Sequence, residues 1–270
     1  MTKMKFTKAV ATGNDFLILD NRAAHIGKLS ELAKKACERK HSIGADGLLV
    51  IEKSKRADFK MRIFNPDGSE AEMCGNGSRC VALYASKHGI VKRTEMTIET
   101  LAGIVDASVK GDIVKVKLPD PTDIKWNLCL TIHKCPYKLS FVKTGVPHVV
   151  HFVDDLDKVD VKTLGYGLRH HKEFAPEGAN ADFVKVVGKN EIKVRTYERG
   201  VEDETLACGT GAVASAIIAA EAEKLSPPIT VQTRGGERLK VYFELIDGNF
   251  RNVYLEGKAK LVYEGVMENV

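Results

Sequence analysis

Two stretches of this chain read as copies of one another, and each puts a cysteine directly before a glycine-rich helix start. The first runs Met73-Cys74-Gly75-Asn76-Gly77-Ser78 into Arg79-Cys80-Val81-Ala82-Leu83-Tyr84-Ala85. The second runs Ala207-Cys208-Gly209-Thr210-Gly211-Ala212 into Val213-Ala214-Ser215-Ala216-Ile217-Ile218-Ala219. The cysteine, both glycines and the pairs Ala82/Ala216 and Ala85/Ala219 coincide at an offset of 134 residues, close to half of the 270-residue chain. A duplicated half-molecule with one thiol at each corresponding point predicts two reactive groups facing each other across a pseudo-two-fold axis. Such a pair can act on both sides of one substrate atom.

The chemistry of each loop points the same way. A glycine-rich turn feeding a helix exposes unpaired backbone N–H groups at the positive end of the helix dipole. That end binds anions, a substrate carboxylate among them, and its field favours a thiolate. Inverting a stereocentre beside a carboxylate requires removing a proton from one face and delivering one to the other. One thiolate as base and one thiol as acid can do this, and helix N-termini aimed at the carboxylate stabilise the charge that develops. The plain alternative is a pair of inert helix-start residues, although buried structural thiols prefer apolar settings.

Strands appear as short alternating or β-branched runs, among them Gly47–Glu52, Phe59–Phe64, Leu128–His133, Pro147–Phe152, Ala181–Val187, Glu191–Tyr197 and a long final run over 252–262. Helices are fewer: 31–39 with Ser30 as N-cap, the two segments after the cysteines, and one around 161–170. Many strands and one long apolar helix per half, without βαβα alternation, predict an α+β fold. It has two pseudo-symmetric domains, each a curved, mostly antiparallel sheet around a central helix. The linker expected at Leu118-Pro119-Asp120-Pro121 divides the chain into 1–118, completed by 256–270, and 119–255.

Composition closes off other classes. An apolar fraction of 44% with 29% charged residues is that of an ordinary globular protein. The net charge of +5 is scattered without a basic stripe, so nucleic-acid binding is not expected. The charged N-terminal segment is not expected to be a signal peptide, and no apolar run approaches the roughly 20 residues of a membrane helix. A cytoplasmic chain with six reduced cysteines is expected. Metal binding is not expected either. His148 and His151 would point to opposite faces of a strand, and Cys129, His133 and Cys135 share one face without a second Cys/His cluster. Cys80 lies six residues beyond Cys74 and so points away from it around a helix, and Cys37 and Cys80 read as core.

Further motifs carry a family resemblance over essentially the whole chain. They are Gly13-Asn14-Asp15-Phe16, Phe64-Asn65-Pro66-Asp67-Gly68-Ser69 leading into Cys74, Gly145-Val146-Pro147-His148, Glu177-Gly178-Ala179-Asn180, and Tyr197-Glu198-Arg199-Gly200 leading into Cys208. With these, the chain resembles the diaminopimelate epimerases, which interconvert the LL and meso forms of diaminopimelate in lysine biosynthesis without a cofactor. The resemblance implies that Cys74 and Cys208 are the two acid/base residues, with His148 and Glu198 assisting them. It implies that Asn14, Asn65, Asn180, Glu198 and Arg199 hold the two amino-acid ends of the substrate, and that the backbones of Gly75, Asn76, Gly209 and Thr210 bind the carboxylate at the reacting carbon. Arg199 suits bidentate grip of a carboxylate, and asparagine offers both donor and acceptor to an ammonium–carboxylate pair.

The resemblance also implies a homodimer, with Val253, Tyr254, Leu261 and Tyr263 serving either the interface or the core. Closure of the domains over a cleft would bring the thiols to either side of the α-carbon. No pyridoxal phosphate, metal or nucleotide is implied, and the partner is the small-molecule substrate alone. Val146 and Gly47 depart from the commonest pattern, where many members carry Asn and Gln. Read without the resemblance, Asn14 and Asn65 are turn formers. A proline or hydroxyproline racemase would also use two thiols on a duplicated fold, and an amino-acid-binding protein or a Cys74–Cys208 redox pair are the readings outside that class.

Overall fold

A computed structural model describes residues 3–268; residues 1–2 and 269–270, at the ends of the expected first domain, lie outside the described residues. Contacts divide the chain into two units, Met1–Lys117 with Gly257–Val270, and Leu118–Glu256. The first contains β1 (Lys3–Ala11), β2 (Asn14–Asp20), α1 (Leu29–Ala36), β3 (Gly47–Glu52), β4 (Phe59–Phe64), β5 (Glu70–Ala71), α2 (Gly75–Lys87), β6 (Glu95–Thr100), β7 (Gly103–Lys110) and β8 (Ile113–Lys117). The second contains β9 (Thr122–Ile132), β10 (Cys135–Lys143), β11 (Pro147–Phe152), α3 (Val161–Arg169), β12 (Asn180–Gly188), β13 (Glu191–Glu198), β14 (Asp203–Thr205), α4 (Gly209–Ala222), β15 (Ile229–Gln232), β16 (Arg238–Ile246) and all but the last two residues of β17 (Asn249–Lys258). The last strand, β18 (Lys260–Glu268), returns to the first unit and pairs antiparallel with β1.

The duplication seen in the motifs extends to the hydrogen-bond ladders. β1–β2 and β10–β11 are antiparallel, β2–β3 and β11–β12 parallel, β3–β4 and β12–β13 antiparallel, and β4–β6 and β13–β15 parallel. The terminal strands follow the rule as well. β9 pairs with β10 as β18 pairs with β1, so each half ends on a strand that belongs to the other half's unit. This is a two-domain α+β fold, rich in strands and poor in helices. Among the described residues no helix is long and apolar enough to cross a membrane.

Each long helix sits inside its sheet. α2 touches β1, β2, β3, β4, β6, β7, β8 and β18, and its residues from Asn76 to Ala85 are buried. α4 is buried from Gly211 to Ala219, as its uniformly apolar surface requires. The parallel pairs are covered on both faces, which is why Phe16-Leu17-Ile18-Leu19 and Leu48-Leu49-Val50-Ile51 are continuous apolar runs. In the first unit Leu17, Leu19, Leu48 and Val50 pack on α1. In the second, Val149, Ala181 and Phe183 pack on α3. Their neighbours in sequence therefore point the other way, toward the central helix.

Three local expectations are corrected. Ser30 does not cap α1: Lys28, in the left-handed region, occupies that position, and the Ser30 hydroxyl donates to Gly68 O at 2.7 Å. The run 252–262 is two strands, because the chain leaves β17 at Ala259, whose N–H bonds Asp112 O, before β18 takes a different partner. The strand expected to end at His133 ends at Ile132, where His133 and Lys134, both at positive φ, form a two-residue turn. Ile132 pairs with Cys135 across that turn while Cys129 pairs with Lys138, so Cys129 and Cys135 lie on opposite faces of the ribbon.

α3 packs through glycine. A Cβ on Gly165 would lie 2.4 Å from Tyr197 Cβ, close enough that α3 or β13 would have to shift. Gly165→Ala is expected to cost about 3 kcal/mol, the upper end of core overpacking, read as a lowered midpoint in urea with an unchanged slope.

Candidate active site

Both cysteines arrive at their helices from a tight hairpin. Phe64 pairs with Glu70 across β4–β5, and Glu198 pairs with Asp203 across β13–β14. Each cysteine is then the N-cap residue, extended at φ −143°, ψ 122° for Cys74 and φ −121°, ψ 117° for Cys208. The sulfur of Cys74 accepts from Gly77 N at 3.5 Å. The sulfur of Cys208 faces Thr210 Oγ1 at 3.4 Å.

The surroundings of the two helix starts differ. In the first unit the β1–β2 turn, with Thr12 and Gly13 both at positive φ, delivers Asn14 to the start of β2. Asn14 Oδ1 accepts from Asn76 Nδ2 at 2.6 Å, and its own Nδ2 donates to Asp46 Oδ2 at 3.1 Å. Arg79, fully buried in the first turns of α2, donates to Asn76 Oδ1, to Thr12 Oγ1 at 2.5 Å and to Lys258 O at 3.2 Å. Asp46 is tied to Arg39 at 2.8 Å, which also meets Asp15 at 2.5 Å, and Lys8 meets Asp15 at 2.6 Å. Burial works against the Asp15 carboxylate, but Lys8 and Arg39 outweigh it and hold its pKa below the ordinary aspartate range.

In the second unit the face of β11 and β12 that looks toward α4 is polar. His148 Nδ1 lies 2.7 Å from Asp182 Oδ2, with both side chains fully buried. His148 Nε2 lies 2.9 Å from Thr210 Oγ1 and 3.4 Å from Asn180 Nδ2. Asp182 Oδ1 accepts from Thr196 Oγ1 at 2.6 Å. Asn180 Oδ1 accepts the Arg199 N–H at 2.8 Å, and Asn180 Nδ2 donates to Pro147 O at 3.1 Å. Glu198 Oε2 accepts from Thr205 Oγ1 at 2.9 Å, and the Arg199 guanidinium donates to Glu177 O at 3.1 Å.

Cys208, His148, Thr210, Asn180 and Arg199 thus fall into one connected network, and Cys74, Asn14 and Asn76 share the other helix start. Asn65 is exposed, and its amide bonds Ser69 Oγ at 3.0 Å within its own turn. His151 faces Lys138 O on the opposite side of β11 from His148. One electrostatic expectation is overturned. The helix N-terminus alone would lower the Cys208 pKa, yet burial, reinforced by the Glu198 and Asp182 carboxylates, raises it well above the usual thiol range. The Thr210 hydroxyl and the Gly211 amide pull the other way without compensating. Cys37 and Cys80 are buried thiols, the first pushed up to about 11 by burial and the second higher still.

A family model described as diaminopimelate epimerase matches residues 6–122 and 140–262. A diaminopimelate epimerase of Aquifex aeolicus is 42% identical over 275 residues, covering 97% of each chain. The chain belongs to the diaminopimelate epimerase family. Among solved structures, a phenazine biosynthesis protein of the PhzF family from Bacillus anthracis has a TM-score of 0.78 at 19% identity, covering 100% of both chains. A probable proline racemase from Agrobacterium radiobacter has a TM-score of 0.72 at 15% identity, covering 99% of this chain and 93% of that one. At these identities the two structures bear on the fold alone.

Within this diaminopimelate epimerase fold, several residues of both networks escaped the sequence reading: Asp46, Arg79 and Thr12 in the first unit, Asp182 and Thr196 in the second. Asp182 had a signal. It stands two residues after Asn180 in a strand run, so it shares Asn180's face, and a carboxylate there among apolar neighbours needs a partner. Arg79 had none, since a lone arginine in a helix reads as a solvated residue.

Proposed function

We propose that the chain is an isomerase that interconverts LL- and meso-diaminopimelate by proton transfer at one α-carbon, without a cofactor, in lysine biosynthesis. The observation that carries this reading is the pair of cysteines capping two matched helix starts in a chain of this family. Cys74 and Cys208 are the acid/base pair. One thiolate removes the α-proton, the other thiol supplies a proton to the opposite face, and the roles exchange in the reverse direction. The amides of Gly75, Asn76, Gly209 and Thr210 hold the α-carboxylate at two helix N-termini, where charge develops as the α-proton leaves. His148 and Glu198 assist the thiols. Asn14, Asn65, Asn180, Glu198 and Arg199 hold the amino-acid ends of the substrate.

The hydrogen bonds refine these roles. Asn14 and Asn180 each have both ends of the amide bonded within the protein, which fixes the orientation in which they would meet the substrate. The Asn65 amide is exposed and bonds Ser69 Oγ in its own turn, and the half-buried Arg199 guanidinium bonds Glu177 O, which leaves donors on both for a substrate carboxylate. The high pKa of Cys208 suits a thiol that begins as the proton donor.

The chain acts as a homodimer in the cytoplasm. Tyr263, 47% exposed, and its neighbours Val262 and Val266 on β18 support the dimer, whereas Val253 is core. Six cysteines outside any disulfide, two of them exposed, suit a reducing compartment. The test of the reaction is incubation with LL-diaminopimelate in deuterated water, with proline as a parallel substrate. Meso product carrying deuterium at one α-carbon is expected, and no exchange into proline. Exchange into proline alone, or a requirement for added pyridoxal phosphate, overturns the reading.

A further inference from the structure

The buried pair His148–Asp182 determines more than the position of a ring. A carboxylate only accepts, so the 2.7 Å contact places the imidazole hydrogen on Nδ1. Thr196 donates to the second oxygen of the same carboxylate, which fixes its plane. His148 Nε2 is then left to what faces it. The Asn180 amide is oriented by Arg199 N on its oxygen and Pro147 O on its nitrogen, so it turns a donor toward Nε2. With the hydrogen on Nδ1, Nε2 is the acceptor and Thr210 Oγ1, 2.9 Å away, is its donor. The lone pairs of that hydroxyl are free to accept the Cys208 S–H at 3.4 Å, and the protonated thiol is the form that burial favours. Thr144 Oγ1, bonded to Thr210 O at 3.0 Å, holds the turn in place.

We propose that the Thr210 hydroxyl is the proton relay between Cys208 and His148, and that Asp182, braced by Thr196, is the positioning residue that sets the His148 tautomer for it. The proposal rests on the epimerase reading given above. The step conserves protons. The Cys208 S–H proton passes to Thr210 Oγ1 as the Thr210 proton passes to His148 Nε2. This leaves a thiolate, an intact hydroxyl now donating to sulfur, and an imidazolium paired with the Asp182 carboxylate. Running the step backward returns the imidazolium proton through Thr210 to the Cys208 thiolate and restores the thiol. At the Cys74 helix start the side chains at the positions matching His148 and Thr210 are Asn14 and Asn76, which bond each other at 2.6 Å.

The test compares Thr210→Val, which keeps the shape and the backbone amide but loses the hydroxyl, with Thr210→Ser, which keeps it. Two readouts are taken on the full chain. One is the rate of iodoacetamide alkylation at Cys208, followed by peptide mass; the other is turnover of LL-diaminopimelate. Thr210→Val is expected to slow Cys208 alkylation about tenfold, since its thiolate loses its donor. It is expected to lower kcat about 10²-fold with KM within about threefold, the scale of one proton-transfer partner. Thr210→Ser should return both to within about threefold of the parent. Asp182→Asn should remove the carboxylate-bonded Nδ1 proton from the ¹⁵N-resolved imidazole spectrum and lower kcat, again with little change in KM. If Thr210→Val does not fold, Thr210→Ala is read in its place. Parental alkylation and kcat in the hydroxyl-less variant, or a Thr210→Ser as slow as Thr210→Val, overturn the relay. A parent chain that leaves diaminopimelate untouched overturns the epimerase reading instead, and the alkylation arm still decides the relay.

Discussion

Replacing either cysteine by alanine is expected to abolish epimerisation, with kcat lowered about 10⁴-fold, the upper range for losing an acid/base group. The fold should survive. Cys208→Ala removes a sulfur from a helix start already closed by its neighbours. Cys74→Ala forfeits the contact with Gly77 N and costs at most about 1 kcal/mol as a lost cap. The sharper result concerns half-reactions. A chain with one thiol can still take the α-proton from its own face and return a deuteron to that same face. Cys74→Ala and Cys208→Ala should therefore each exchange the α-hydrogen of one stereoisomer with deuterated water, without inversion, and should choose opposite isomers. If both variants exchange the same isomer, the thiols do not address opposite faces and the two-base reading fails.

Gly211→Ala is expected to be nearly as damaging, while Gly77→Ala, at the matching place in the other motif, is expected to be mild. A Cβ on Gly211 would lie 2.5 Å from Asp182 Oδ1 and 3.2 Å from Thr196 Oγ1, so it would push on the carboxylate that holds His148. That carboxylate is fully buried and bonded to both His148 and Thr196, so displacing it breaks a bond that water cannot replace. A loss of about 10²-fold in kcat is expected from a misplaced assisting group, together with a destabilisation of about 3 kcal/mol. A Cβ on Gly77 would instead meet Leu49 Cδ2 at 3.0 Å, the far end of a side chain that can rotate. There alanine also gains helix propensity of about 1 kcal/mol over glycine, so stability should change by less than about 1 kcal/mol. Activity and urea midpoints of the two variants, measured side by side, decide the matter; equal damage at both glycines would show that the motif itself, not its neighbour, sets the requirement.

These two glycines also show where reading the sequence stops. Both are visible as members of a repeated Cys-Gly-x-Gly, and the repeat announces a duplicated α+β chain with a thiol at each helix start. The strand runs Gly47–Glu52 and Pro147–Phe152 were legible because their composition and length leave no other use for them. The hairpins Glu70–Ala71 and Asp203–Thr205 were not, because strands of two and three residues have no period to detect. Ser30 misled for a different reason: its hydroxyl could serve a cap or a distant carbonyl, and only the proximity of Gly68 selects the second.

The amino-acid sequence by itself determined which residue types stand at the two helix starts, and with its further motifs the family to which the chain belongs. Those are local properties, carried by turn chemistry and by spacing along the chain. Tertiary structure alone decided that Asp182 and Thr196 meet behind His148, that Arg79 is buried against Asn76, and that burial pushes the Cys208 thiol pKa up where a helix N-terminus alone would lower it. The physical reason is desolvation. The dipole of a helix start is written in local sequence, but the loss of water around a sulfur, and the partner a buried carboxylate must find, depend on strands that come together only on folding.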